Sequence, residues 1–387
     1  MKKVDRSEAS REPRICMPSW RNFRRVAFQG GLYEAQDVLS ESDDVDLIRL
    51  DPSRGYRFRE SWQRRLLWRD ITKKLAFVNP GLRPVRLNRQ YDLFVAICQN
   101  WWDLLSINAI KGWKEHCKVS VCWMDEMWAA WVPRYKNWLH LLNRFDHVVL
   151  NLLGSVRAVE DALGRACHWV PSGIDAIRFS PYPRPPARVI DVYSIGRRWE
   201  GVHQALLRQV AEKNIFYLFD TIKVNDTVMP DYRAHRDLIA NIAKRSRYFM
   251  VAPAKMDLPI DTEGQSEVGS RYFEGSAAGA VLIGKKSDSE SFRKLFGWQD
   301  AVIEIRTDGS DLVEVLLGLS GQPERLQMIS RRNATEALLR HDWVYRWKQI
   351  LEIAGLKPRP AMAAREQHLM RLAEMAKDGE REKPETR

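Results

Sequence analysis

Residues 267–285 read EVGSRYFEGSAAGAVLIGK. The first part, Glu267 to Ala278, has helical spacing, and AVLIG (Ala280 to Gly284) has the apolar character of a buried strand. A helix that runs directly into a buried strand is the repeating unit of a parallel, doubly wound sheet. On that helix Arg271 and Glu274 stand three residues apart and share a face. One face can then offer a guanidinium to a phosphate and a carboxylate to ribose hydroxyls. The small residues from Gly275 to Gly279 permit close backbone approach. The same pattern would also serve a surface ion pair on a helix that needs small side chains to pack.

The alternation extends in both directions. Upstream, RRVAFQG (Arg24 to Gly30) reads as a strand ending at a Gly30-Gly31 turn. Further strands are expected at DVDLIRL (Asp44 to Leu50), YDLFVAICQ (Tyr91 to Gln99), KVSVCWM (Lys118 to Met124) and HVVLNL (His147 to Leu152). Helical spacing falls between them over 54–78, 101–116, 133–143 and 155–163. Pro181, Pro183, Pro185 and Pro186 then rule out a helix or central strand and mark a linker. Beyond it, strands at DVYSIG (Asp191 to Gly196), IFYLFD (Ile215 to Asp220), YFMVAP (Tyr248 to Pro253) and AVIEI (Ala301 to Ile305) again alternate with helices, among them 202–213 and 232–243. The expected fold class is α/β, with two Rossmann-like doubly wound domains facing across a cleft. Residues 1–19 are expected to be a disordered leader, 20–180 the N-terminal and 181–357 the C-terminal Rossmann-like domain, and 358–387 a closing helix and tail. Ligands of such sheets bind outside the carboxyl ends of the strands.

The 387 residues carry 62 Lys and Arg against 50 Asp and Glu, a formal charge of +12 that favours an anionic partner. No apolar run is long enough to span a bilayer. The start, MKKVDRSEASREPR, lacks the apolar centre of a secretory signal, which points to the cytoplasm. Five cysteines without C-x-x-C spacing read as reduced structural thiols rather than a zinc set. No Asp-x-Asp stands where it would hold a metal, so neither metal nor cofactor is expected.

Several ordered motifs resemble the C-terminal domain of GT-B glycosyltransferases, in particular the group 1-like branch named for a spore-maturation protein. That branch carries a pattern like R-x-F-E-x-x-x-x-G before a strand, met here by Arg271, Phe273, Glu274 and Gly279. DVYSIGRR (Asp191 to Arg198) looks like its opening strand and Gly-Arg turn, and HDWVYRWKQIL (His341 to Leu351) like its closing helix. VPSGIDAIRFSP (Val170 to Pro181) resembles the approach to the hinge in retaining GT-B enzymes. The resemblance implies that Glu274 binds the donor ribose, with Arg271 near the donor and Gly196 and Arg197 near the diphosphate. It also implies that Gly30 and Gly31 face the donor phosphate. The sequence departs from the pattern twice. Glu267 and Glu274 have six residues between them where many retaining relatives have seven, and Glu200-Gly201 stands where many have Lys-Gly. Arg198 and Lys255 are the candidates for the missing cation.

Asp125 and Glu126, in WMDEMW after a buried strand, are candidates to accept the acceptor's proton, or alternatively helix-capping acids in a packed loop. His147 reads as a structural histidine. Residues 58–77 place Phe58, Trp62, Leu66, Ile71 and Leu75 near one helical face amid basic residues, which suits either an anionic membrane surface or a packed helix with a solvated face. From Arg54 to Arg89 there are eleven Lys or Arg residues against only Glu60 and Asp70. No nucleic-acid motif is present, so that partner is not expected. The resulting expectation is a metal-independent, hexosyl-type glycosyltransferase working from a nucleotide sugar onto a surface glycan or glycolipid. The rival is a non-catalytic GT-B-like protein that binds glycans or polyanions.

Overall fold

The computed structural model describes residues 12–69, 73–212, 214–221 and 228–378. Most of the expected leader and the tail from 379 lie outside these residues.

The strands, in chain order, are β1 (Ile15–Ser19), β2 (Val45–Arg49), β3 (Val85–Arg86), β4 (Tyr91–Cys98), β5 (Ile110–Lys111), β6 (Cys117–Met124), β7 (His147–Leu150), β8 (His168–Trp169), β9 (Ile190–Ser194), β10 (Tyr217–Phe219), β11 (Ser246–Val251), β12 (Val281–Gly284) and β13 (Ile303–Glu304). They build a six-stranded sheet ordered β2-β1-β4-β6-β7-β8 and a five-stranded sheet ordered β10-β9-β11-β12-β13, with β3 and β5 as a separate pair. Every pairing in the two large sheets is parallel. Strands covered by helices on both faces must be apolar along their length, which is why β4, β11 and β12 are short hydrophobic runs.

Two expectations at the start of the chain are corrected. β1 is a fully buried interior strand inside the stretch expected to be a leader. Pro18 is tolerated there because β4 pairs only with Ile15 and Cys16, so no β4 carbonyl waits for the missing N–H. The segment 24–30 is not a strand. Ala27–Gln29 forms a 3-10 turn that runs into the helix Gly30–Ser42. Gly30 is itself right-handed helical (φ −55°), and its use lies in close packing: a Cβ there would sit 3.3 Å from Arg236 Cδ. The helix expected over 101–116 is broken into short turns around β5.

The two halves are stitched together after the second sheet. Ile174 pairs with Asp342 in a parallel bridge, and Trp343 N–H donates to the Ile174 carbonyl at 3.0 Å. Helix Trp343–Ile353 then packs on the N-terminal half, with Trp123 meeting Trp343 and Trp347 edge-on at 6.0 and 5.7 Å. Helix Pro360–Asp378 returns along helix Pro323–Arg340, and one hydrophobic core continues through both halves. No helix among the described residues is long and apolar enough to cross a membrane.

Gly284, the last residue of β12, has φ +151°, and a Cβ there would lie 1.9 Å from the Val251 carbonyl oxygen. Gly284→Ala is therefore expected to cost at least about 2 kcal/mol in urea unfolding.

Candidate active site

The carboxyl ends of the two parallel sheets face each other across a cleft of about 440 Å³. In both sheets the strand order reverses beside the first strand, β1 and β9, and there the crossover helices part to leave a crevice. Gly31, Asp125 and Ser172 line the cleft from the N-terminal half; Asp220, Arg271 and Glu274 line it from the C-terminal half.

Arg271 and Glu274 lie in the eight-residue helix Ser270–Ala277, which starts at the cleft and ends at the turn before β12. They share a face and are ion-paired to each other. Glu274 is 2% exposed, and its other oxygen accepts from Arg236 Nη1 at 2.5 Å. Burial alone would raise this carboxyl. The two guanidiniums and their hydrogen bonds outweigh it, so Glu274 is held below the usual carboxylate range and stays ionised. Gly196, two residues beyond the end of β9, has φ +82°, and its N–H donates to the Asp220 carboxylate at 3.1 Å. A side chain there would come within 3.6 Å of Arg271, so the glycine keeps the approach to that guanidinium open. His235 also lines the cleft. Burial, followed by Arg236 and Arg271, lowers its pKa and keeps the ring neutral near pH 7.

On the facing wall, Asp125 emerges just after β6. Its carboxylate accepts from Asn151 Nδ2 at 2.8 Å, and the Ser172 hydroxyl stands 3.5 Å away. It keeps partial exposure into the cleft, while protein crowds its other sides. Burial, with the nearby Glu126 charge, pushes its pKa up to about 7, only partly offset by the two hydrogen bonds. A carboxyl poised near neutrality in a cleft fits general acid–base work.

The other residues singled out from sequence are placed as follows. Gly31 lines the cleft at the start of its helix, and Gly30 lies behind it against Arg236. Arg197 is not among the residues that line the cleft and pairs with Asp257 at 2.7 Å. Gly279 sits at the far end of its helix, where φ +63° and hydrogen bonds from Arg188 and Ser330 to its carbonyl make it a turn residue. Glu126 is not among the residues that line the cleft and stands 3.8 Å from Lys255, which lies over Trp131 at 3.9 Å. Glu267 precedes the helix and accepts from the Gly154 N–H at 2.8 Å, joining the two halves. Arg198 pairs with Asp220 at 3.3 Å. Arg236 and Glu34 were missed. Arg236 shares a helix face with Ile239, Ala240 and Ala243, all buried; a lone charge on an apolar stripe was the available signal.

Residues 187–352 match a family model described as glycosyl transferase-like. No curated protein matches the chain. An α-glucosyltransferase solved with UDP is similar over 88% of this chain and 99% of its own, at 11% identity and a TM-score of 0.51. A structure of α-glucosyltransferase with UDP-glucose and DNA containing an abasic site gives 12% identity over 88% and 99%, with a TM-score of 0.51. An Anabaena protein solved with UDP-glucose gives 13% identity over 88% and 99%, with a TM-score of 0.49. The likeness to solved structures is one of fold. The C-terminal half of the chain thus carries a glycosyl transferase-like match, and its two facing parallel-sheet domains share the fold of the α-glucosyltransferase structures.

Proposed function

We propose that this chain moves a sugar, of hexose type, from a nucleotide-sugar donor to an acceptor hydroxyl without a metal ion. The observation that carries the reading is one cleft with Arg271 and Glu274 on one wall and Asp125, at a pKa of about 7, on the other. UDP or UDP-glucose in the α-glucosyltransferase structures supports a nucleotide-sugar donor. Glu274 accepts from the ribose hydroxyls. The bond between the anomeric carbon and the diphosphate oxygen breaks, and the acceptor oxygen takes its place. The acceptor proton passes to Asp125. Negative charge gathers on the leaving diphosphate, where Arg271 and the amide-rich helix starts at Ser270 and Gly31 stabilise it.

Asp125→Asn should lower kcat/KM by about 10²–10⁴-fold. A base works only when ionised, so wild-type activity should rise with pH through about 7 and level off above it. In Asp125→Asn that limb should vanish. A limb that persists unchanged assigns the proton to another group.

The broader test is binding and hydrolysis of common nucleotide sugars by the purified protein. Turnover supports the reading, and absence of any binding sinks it. The alternative, a non-catalytic binding protein, is favoured by Glu200, which stands exposed at the start of its helix where many of the retaining enzymes that the sequence resembles have Lys. That alternative requires nucleotide binding without turnover.

The acceptor is proposed to be a surface glycan or glycolipid precursor, met at the cytoplasmic face of a membrane. Helix Tyr56–Trp68 turns Phe58 (67% exposed), Trp62 and Trp68 to solvent, with Arg57, Arg65 and Arg69 exposed among them. Arg24 ties this helix, through Glu60 at 3.0 Å, to the segment that lines the cleft at Ala27 and Phe28. Phe58→Ser with Trp62→Ser should weaken sedimentation with anionic vesicles by about tenfold. Equal sedimentation of both proteins excludes this face.

A further inference from the structure

A line of alternating charge runs from the N-terminal half into the donor wall. Glu34, on helix Gly30–Ser42, is fully buried. Its Oε2 accepts from Arg236 Nε at 2.8 Å. Its Oε1 accepts from Arg236 Nη2 at 3.3 Å, Trp343 Nε1 at 3.1 Å and the Asp175 N–H at 2.7 Å. Arg236 then reaches Glu274 Oε1 with Nη1, while Arg271 takes Glu274 Oε2. Glu274 thus carries one guanidinium on each oxygen.

A carboxylate offers about four acceptor sites, so about two remain for a ribose diol. Which two they are depends on how the carboxylate plane is turned. The planar fork of Arg236 fixes that plane, and Glu34 fixes the fork. Helix Gly30–Ser42 provides an internal contrast. Asp37 also joins the two halves, to Arg233 at 2.9 Å and to the Tyr232 hydroxyl at 2.6 Å, and none of its hydrogen bonds or ion pairs goes to Glu274.

We infer that Arg236 is a positioning residue of the donor site, and that Glu34 sets it from across the domain boundary. The nucleotide is then gripped in full only when both halves contribute. This rests on the donor reading of Glu274.

Glu34→Gln keeps the side chain's shape and removes its charge. In the full chain its affinity for whichever of UDP, GDP, dTDP and ADP binds wild type best should fall by about tenfold or more in calorimetry. Asp37→Asn removes an equally interdomain charge and should change that affinity by less than about threefold. Arg236→Lys keeps a cation without the fork and should lose as much as Glu34→Gln. If thermal unfolding shows Arg236→Lys unfolded, Glu34→Gln carries the test alone. Equal losses in Glu34→Gln and Asp37→Asn would mean general loosening and overturn the inference. Unchanged affinity in Glu34→Gln would overturn it while leaving the donor reading intact. A wild type that binds none of the four nucleotides removes the donor reading, and this inference with it.

Discussion

Arg271→Ala should lower kcat/KM for sugar transfer by about 10²–10³-fold, the usual loss when one donor to a developing anion is removed. The reason lies in where its charge stands. The side chain is 26% exposed and opens into the cleft beside Gly196, while its partner Glu274 is 3% exposed. Removing Arg271 leaves Glu274 still paired with Arg236, so the carboxylate does not become an orphan charge. The fold should therefore survive, with a stability loss of about 1–2 kcal/mol. Arg271→Lys keeps the charge but not the planar fork and should recover only part of the rate. Kinetics with the best nucleotide sugar, alongside thermal unfolding, separate these effects. A variant that transfers at the wild-type rate would remove Arg271 from the donor site.

The largest expected loss of stability lies away from the cleft. Arg365, on helix Pro360–Asp378, donates to Asp175 at 2.7 Å and to both oxygens of Asp342 at 2.9 Å. Arg365→Ala would leave two carboxyls close together with their shared cation gone, one of them, Asp342, fully buried. Breaking a buried ionic group from one side costs about 3–5 kcal/mol, measurable by urea unfolding. Burial already raises the Asp342 pKa, with Arg365 the main offset, and in the variant it should rise further. A carboxyl whose folded pKa lies above its unfolded value loses stability as pH climbs from the unfolded value through the folded one. The deficit should therefore be smaller near pH 4 than near pH 8. A deficit that does not depend on pH would mean that Arg365 acts through packing.

Much of this architecture was legible because buried parallel strands leave apolar runs that neighbouring helices do not. β4, β6, β11 and β12 each stand close to where their runs predicted. β1 was hidden by its proline and by the charged residues before it, and Val26-Ala27-Phe28 imitated a strand because a short apolar run before two glycines looks the same when it enters a helix. In the site, Arg271 and Glu274 were readable since their relation is local, three residues on one helix. Glu34 and Arg236 are 202 residues apart, and nothing near either announces the other. Asp125 could be nominated from its place after a strand, but its pKa depends on Asn151, Ser172 and burial, which the fold alone supplies.

The bridge between Ile174 and Asp342 and the packing of Trp343 and Trp347 on Trp123 bear on protein engineering. The last two helices follow the C-terminal sheet in sequence, yet both also touch helix Gly30–Ser42 of the N-terminal half. A chimera that exchanges C-terminal halves by a single junction at the Pro-rich linker would also bring foreign closing helices against the N-terminal half. It would sever Arg365 from Asp175 and replace the partner of Glu34. Grafts with two junctions, one in the linker and one just before Asp342, would leave the Ile174–Asp342 bridge, the packing on Trp123 and the Arg365–Asp175 pair native, and would still need an arginine at position 236 to face Glu34.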